Sequence, residues 1–170
     1  MNASADTEFT EFMQGRWAQL VRLGYGLTGD QHLAEDLAQT ALSRAYASWS
    51  RVRRTGNPDA YVRRIMVNAN SGRFRKRRVA ERLTGDVPDT AAIVAVDLSD
   101  DRAALMAALM ALPYGQRATV VLRYWMDMSE TEAAAALGCS VGNVKSQASR
   151  ALAKLRVTEG LAEGMSNEHR

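Results

Sequence analysis

The chain has 170 residues, 46% of them hydrophobic and 24% charged, with only 3 Pro, a composition that excludes a disordered or fibrous protein. A single cysteine, Cys139, excludes an internal disulfide, and with only two histidines beside it a zinc site is not expected either. The net charge of +3 averages 22 Lys and Arg against 19 Asp and Glu, so the informative question is where the cations cluster.

The N-terminus carries Asp6, Glu8 and Glu11 where a signal peptide would be basic, and no stretch approaches the roughly 20 apolar residues of a membrane span. The expectation is a cytoplasmic protein with no membrane partner. Phe9, Met13, Leu20, Leu23 and Leu27 recur at helical spacing, with Arg16, Gln19 and Arg22 between them, and predict an amphipathic helix ending near Thr28-Gly29. Asp30 stands where an N-cap would, ahead of a second helix with Leu33, Leu37, Ala41, Ala45 and Trp49 on its apolar face. Thr55-Gly56-Asn57-Pro58 reads as a turn, and Pro58 opens a helix whose Tyr61, Ile65 and Met66 face the same core.

These helices make one predicted lobe, residues 1–83. Residues 84–101 hold Gly85, Pro88 and several Asp with no Lys or Arg, and are expected to be a linker. A second lobe over 102–158 begins with Leu105, Leu109 and Leu112 before Pro113 and continues with Val120, Val121, Tyr124 and Trp125 on another helix. Residues 159–170, with Gly160 and Gly164, read as a frayed tail. Strand alternation is not convincing anywhere. The fold class is therefore all-α, two small helical domains joined by an acidic linker.

The strongest local signal lies between Ser129 and Leu155. Ser129 with Glu132 three residues on forms a capping box, and the short helix it opens ends at Leu137 before Gly138, a residue suited to a left-handed turn. Ser140 caps the next helix, which places Val141, Val144, Ala148, Ala151, Leu152 and Leu155 on one face. Asn143, Ser146, Gln147, Arg150 and Lys154 fall on the other face, with Lys145 beside them. A helical hairpin with a solvated polar face is the bland alternative. The glycine turn, the two caps and the Asn/Ser/Gln/Arg face favour a helix-turn-helix whose second helix enters the major groove.

A second signal is the cation cluster Arg51, Arg53, Arg54, Arg63, Arg64, Arg73, Arg75, Lys76, Arg77 and Arg78, interleaved with Trp49, Tyr61 and Phe74. Alone it fits a solvated helix face and a nucleic-acid surface equally well; beside a helix-turn-helix, nucleic acid is favoured. The methionines, Met106, Met110, Met126 and Met128 among them, read as gap-fillers of a helical core, and Cys139 as a small packed residue. Glu35 and Asp36 are adjacent on a helix and do not face each other. Neither a nucleophile–base set nor a phosphate loop accompanies them, so no enzyme, cofactor, metal or small-molecule substrate is expected.

The segments AEDLAQTAL (34–42), NPDAYVRRIMVNA (57–69) and the stretch from Leu112 to Arg156 together resemble the sigma-70 family, and within it the extracytoplasmic-function group in its actinobacterial SigE-like branch. The resemblance implies two partners, core RNA polymerase and promoter DNA, and leaves an anti-sigma protein open as a third. It assigns polymerase docking to Asp36, Gln39, Leu42 and Arg44. The minus-ten element falls to Arg53, Arg54, Asn57, Tyr61, Arg63, Arg64 and Asn68, with Arg75, Lys76, Arg77 and Arg78 on flanking phosphates. The minus-thirty-five element falls to Ser140, Asn143, Lys145, Ser146, Gln147, Arg150 and Lys154. Departures are Tyr61 where many relatives carry Trp, Thr40 where they carry an acid, Leu42 where they carry an aromatic residue, and Asn143 where they carry Thr. A dimeric helix-turn-helix regulator acting without polymerase is the competing reading, and it leaves the arginine-rich lobe unexplained.

Overall fold

The computed structural model describes residues 2–84 and 100–157, and the side chains of residues 2–72 and 101–157. Among the described residues the regular structure is helical throughout: α1 (Ala3–Thr28), α2 (Gln31–Ala47), α3 (Trp49–Arg54), α4 (Pro58–Thr84), α5 (Asp100–Ala111), α6 (Tyr114–Val120), α7 (Glu130–Leu137) and α8 (Val141–Val157). A π-helical turn, Val121–Trp125, continues α6. The chain is thus all-α, as its periodicity predicts. Of the expected linker, residues 84–101, Thr84 ends α4 and Asp100 and Asp101 open α5, while residues 85–99 and the expected tail at 159–170 lie outside the described residues.

Local chemistry sets the boundaries. The Asn2 side chain accepts from the Ala5 N–H to open α1, and α1 closes at Gly29 with φ 69°. Asp30 caps α2 by accepting from the Leu33 N–H at 3.0 Å. Pro58 is the first residue of α4, and the Asn57 side-chain oxygen accepts from the Ala60 N–H at 3.1 Å.

The apolar stripes then decide what packs on what. Leu20, Leu23 and Leu27 of α1 meet Leu37, Ala38, Ala41 and Leu42 of α2, and Val62 and Met66 of α4 complete the layer. Each Leu or Met buried this way contributes about 1.5–3 kcal/mol. Two expectations are corrected here. Leu33 is 41% exposed: the stripe of α2 keeps the expected Leu37, Ala41 and Ala45, but its other buried positions are Ala34, Ala38 and Leu42 rather than Leu33. Trp49 belongs to α3 rather than α2, since the chain breaks at Ser48; its ring is buried against Phe9 and Phe12.

The C-terminal helices do not hold a wholly separate core. Ala118, Val121, Leu122, Met128, Ala133 and Val144 join the same buried cluster as Leu23, Leu27 and Met66, while Met106, Leu109, Leu112, Val120, Ala151 and Leu155 form a second one. Arg117 sits between the clusters at 5% exposure. Its guanidinium donates to the carbonyls of Leu109 (3.0 Å), Met110 (2.9 Å), Leu112 (3.3 Å) and, on α1, Leu27 (3.2 Å). A buried charge is tolerated because those acceptors are the carbonyl-rich ends of two helices, where the macrodipole favours a cation.

Candidate nucleic-acid interface

The helix-turn-helix is assembled by short-range chemistry. The Ser129 hydroxyl accepts from the Glu132 N–H at 3.1 Å, while the Glu132 carboxylate accepts from the Ser129 N–H at 3.2 Å, so both halves of the capping box form. Gly138, with φ 67°, takes the left-handed conformation that ends α7, a conformation that costs a side-chain-bearing residue about 1–2 kcal/mol. The Ser140 hydroxyl accepts from the Asn143 N–H at 3.1 Å and opens α8. Val144, Ala148, Ala151 and Leu155 of α8 are buried against α6 and α7, leaving its other side to solvent.

That side carries Asn143, Lys145, Ser146, Ser149, Arg150 and Lys154, all exposed, with Ser140 exposed at the turn. Lys145 is 3.6 Å from Glu130, which lies 4.0 Å from Arg123. Gln147 is half-buried, its amide seated over the backbone of Gly115 on α6, so it points to the flank of the helix rather than straight outward. Ser149 is a residue the sequence reading passes over, although its spacing of three from Ser146 and four from Lys145 puts it on the same face. The face offers hydroxyl and amide groups near its N-terminal end and cations along its length, which matches the chemistry of base edges and phosphates.

The N-terminal candidates are more heavily engaged. Arg53 pairs with Glu8 at 2.9 Å, and Asp59 holds Arg16 at 2.7 Å and stands 4.0 Å from Arg63. Arg51 donates to the Tyr61 hydroxyl at 3.4 Å, Arg54 to the Ser50 carbonyl at 3.2 Å, and Asn57 is occupied as the cap of α4. Asn68 is exposed on α4. The guanidinium of Arg64 lies against Gly138, its Nη2 2.9 Å from where a Cβ on that glycine would stand. Arg75, Lys76, Arg77 and Arg78 fall on α4, and their side chains lie outside the described residues.

On α2, Asp36, Gln39 and Arg44 are exposed and could meet a partner together. Leu42 is not with them. At 4% exposure it is part of the core, because it lies on the stripe shared with Leu37 and Ala38, and the apolar knob expected there is absent. The sequence reading also passes over Arg117. A lone charge at helical spacing from Val120, Val121 and Tyr124, on the apolar side of its own helix, was the available signal.

A capped helix-turn-helix beside a second helical body rich in arginine is the architecture of a nucleic-acid-binding protein. Two family descriptions match the chain, Sigma-70 region 2 over residues 17–80 and Sigma-70, region 4 over residues 102–155. The RNA polymerase sigma-E factor of Streptomyces antibioticus is 44% identical over 149 residues, 88% of this chain and 83% of that protein. The ECF RNA polymerase sigma factor EcfG of Rhodopseudomonas palustris is 34% identical over 138 residues, 76% of this chain and 72% of its own length. Among solved structures, the sigma factor RpoE from Bartonella quintana, in complex with the anti-sigma factor NepR, superposes with a TM-score of 0.71 at 25% identity, covering 96% of this chain and 99% of that one. The chain belongs to the sigma-70 family, in its extracytoplasmic-function group.

Proposed function

We propose that the chain is a transcription initiation factor that binds core RNA polymerase and directs it to promoters, with α8 reading the upstream element and α4 holding the minus-ten strand. The observation that carries this is the exposed polar face of α8, set opposite a fully buried stripe and fixed by two caps, in a chain that matches both sigma regions. Asn143, Ser146, Ser149 and Arg150 address base edges, with Gln147 at the flank, while Ser140, Lys145 and Lys154 address phosphates. Tyr61 supplies a ring for an unstacked base. Arg53, Arg54, Arg63, Arg64 and Asn68, continued by Arg75, Lys76, Arg77 and Arg78, hold the backbone around it.

Polymerase docking falls to Asp36, Gln39 and Arg44 of α2. The functional division is residues 1–83 for docking and the minus-ten element, 84–101 as connector and 102–158 for the upstream element. The factor works in the cytoplasm without chemistry of its own, and an anti-sigma protein of the kind bound to the Bartonella relative is a natural antagonist. Among the described residues no helix is long and apolar enough to cross a membrane.

The test is to mix the purified chain with core RNA polymerase and promoter DNA. A stable complex that initiates at one start site is the expected result. Binding to duplex DNA as a dimer, with no initiation, would establish a regulator instead.

A further inference from the structure

We infer that Glu8 and Asp59 make the N-terminal helices selective for a closely held strand, an inference that rests on the initiation-factor reading above for its promoter arm. The two carboxylates keep Arg53, Arg16 and Arg63 out of loose, sequence-blind capture of nucleic acid. They release these cations only to a phosphate that comes within ion-pair distance.

The sequence supplies an acidic arm and an arginine cluster. Before Arg16 the chain carries Asp6, Glu8 and Glu11 and no Lys or Arg, while Arg51, Arg53 and Arg54 lie together on α3. Aromatic packing brings arm and cluster into register. Phe9 and Phe12 lie against the Trp49 ring with centroids 5.2 and 5.3 Å apart, so the first turns of α1 are fixed beside α3. Glu8 then meets Arg53 at 2.9 Å, and Asp6 accepts from the Tyr46 hydroxyl at 3.0 Å. Farther along α1, Arg16 donates to Asp59 of α4 at 2.7 Å, and Arg63 stands 4.0 Å from the same carboxylate. Among the described residues Arg51, Arg54 and Arg64 have no carboxylate partner, so the cations fall into a paired and an unpaired set.

The two sets answer a polyanion differently. An exposed ion pair is weak, so a phosphate at hydrogen-bonding distance displaces the carboxylate readily. From farther off the pair is close to neutral. A strand held loosely through water and salt, with charges screened over about 8–10 Å, meets Arg51, Arg54 and Arg64 as cations and the paired set as almost nothing. The salt dependence of binding counts the cations that neutralise phosphates, so the paired set adds to it in close strand binding and not in loose binding. A partner that must be displaced rejects the ligand that cannot displace it. Glu8 and Asp59 are therefore specificity-determining residues, and Arg16 of α1 joins the cations that hold the strand.

Glu8→Gln and Asp59→Asn are compared with wild type and with Glu11→Gln, a control of equal charge change on the same arm. Glu11 is exposed and has no ion-pair partner among the described residues. Affinity is measured between about 50 and 200 mM salt, for the full-length chain on an oligothymidylate strand and for its complex with core polymerase on a premelted promoter. On oligothymidylate, Glu8→Gln is expected to steepen the log-log slope by about 0.7 and to raise affinity roughly two- to eightfold at the low-salt end, and Asp59→Asn to steepen it by about twice as much. Glu11→Gln should change that slope by less than about a third as much. On the premelted promoter all three variants keep the wild-type slope.

Circular dichroism checks the fold, and if Asp59→Asn loses helicity at the first turn of α4, Glu8→Gln decides alone. An unchanged oligothymidylate slope for Glu8→Gln overturns the proposal. Equal steepening by Glu11→Gln also overturns it, since net charge alone would then be at work, as does equal steepening on the promoter, where Arg53 would be masked in both complexes. A wild-type chain that forms no initiating complex with polymerase contradicts the initiation-factor reading, and the oligothymidylate measurement still decides whether the carboxylates mask the arginines.

Discussion

α8 and α4 both carry side chains that we propose meet DNA, yet they hold them differently. Asn143, Ser146, Ser149 and Arg150 stand exposed around a buried stripe, whereas Arg63 and Arg64 of α4, like Arg53 and Arg54 at the end of the preceding α3, lie against Asp59, Gly138, Glu8 and Ser50 of the chain itself. On the proposed reading, α8 offers its polar face as it stands, while Arg63 of α4 would exchange an internal partner for DNA. The difference follows from the setting of each helix. α8 packs one side only, against α6 and α7, while α4 is enclosed by α1, α2, α3, α6 and α7.

The largest effect belongs to Arg117 of α6, which ties the C-terminal helices to α1. Arg117→Met leaves four carbonyls of α1, α5 and the following turn without their donor, and is expected to destabilise the chain by about 3–5 kcal/mol in urea denaturation. Loss of less than about 1 kcal/mol would show that water replaces the guanidinium and that the tie is not structural.

Specificity sharpens the contrast next. Arg150→Ala is expected to remove about 1–3 kcal/mol of discrimination at one or two positions of the upstream element, measured by binding to single-base variants. Lys154→Ala, a turn further out, should weaken all variants alike. Equal, sequence-blind losses from both would mean that α8 reads backbone and shape only.

Docking separates the two regions in a third way. Asp36→Arg is expected to weaken core polymerase binding, while the affinity of the chain for its upstream duplex stays within about twofold, since an exposed substitution on α2 disturbs the fold by less than about 0.5 kcal/mol. Parallel loss of both would join what the proposal keeps apart.

The last effect is confined to alkaline pH and is absent at neutral pH. Burial pushes the Tyr114 phenol up to about 12 from its usual 10, so the folded state favours the neutral, hydrogen-bonded form. Its contribution is complete below pH 10 and is lost as pH rises through about 12. A wild-type chain should therefore show a loss of stability in that window that Tyr114→Phe lacks, and identical alkaline profiles would place the phenol in water.

Much of the interface was legible in the sequence because its determinants are local. Ser129 with Glu132, Gly138 and Ser140 lie within a dozen residues of one another, and each acts on the backbone within four positions of itself. Phase was harder where the stripe is built of small residues. In α2 the core contains Ala34, Ala38, Ala41 and Ala45, and alanine marks a buried face weakly, so the leucine spacing puts Leu33 inside and leaves Leu42 outside, when the reverse holds. The contacts between the halves were not legible at all. Tyr114 and Val67 are 47 positions apart and Trp125 and Arg22 are 103 apart, and no periodicity within one helix reports which carbonyl a distant side chain will find. The same holds for Arg117, whose acceptors sit at the ends of helices from both halves.

Promoter-dependent initiation measures the proposed division of labour between α8 and α4 directly. Core polymerase loaded with wild type, Arg150→Ala or Arg64→Ala would be run on templates carrying every single-base change in the upstream element. Arg150→Ala is expected to reorder the templates, while Arg64→Ala lowers initiation from all of them and keeps the wild-type order. An Arg150→Ala factor that preserves the order, or an Arg64→Ala factor that changes it, would contradict the assignment of reading to α8 and strand holding to α4.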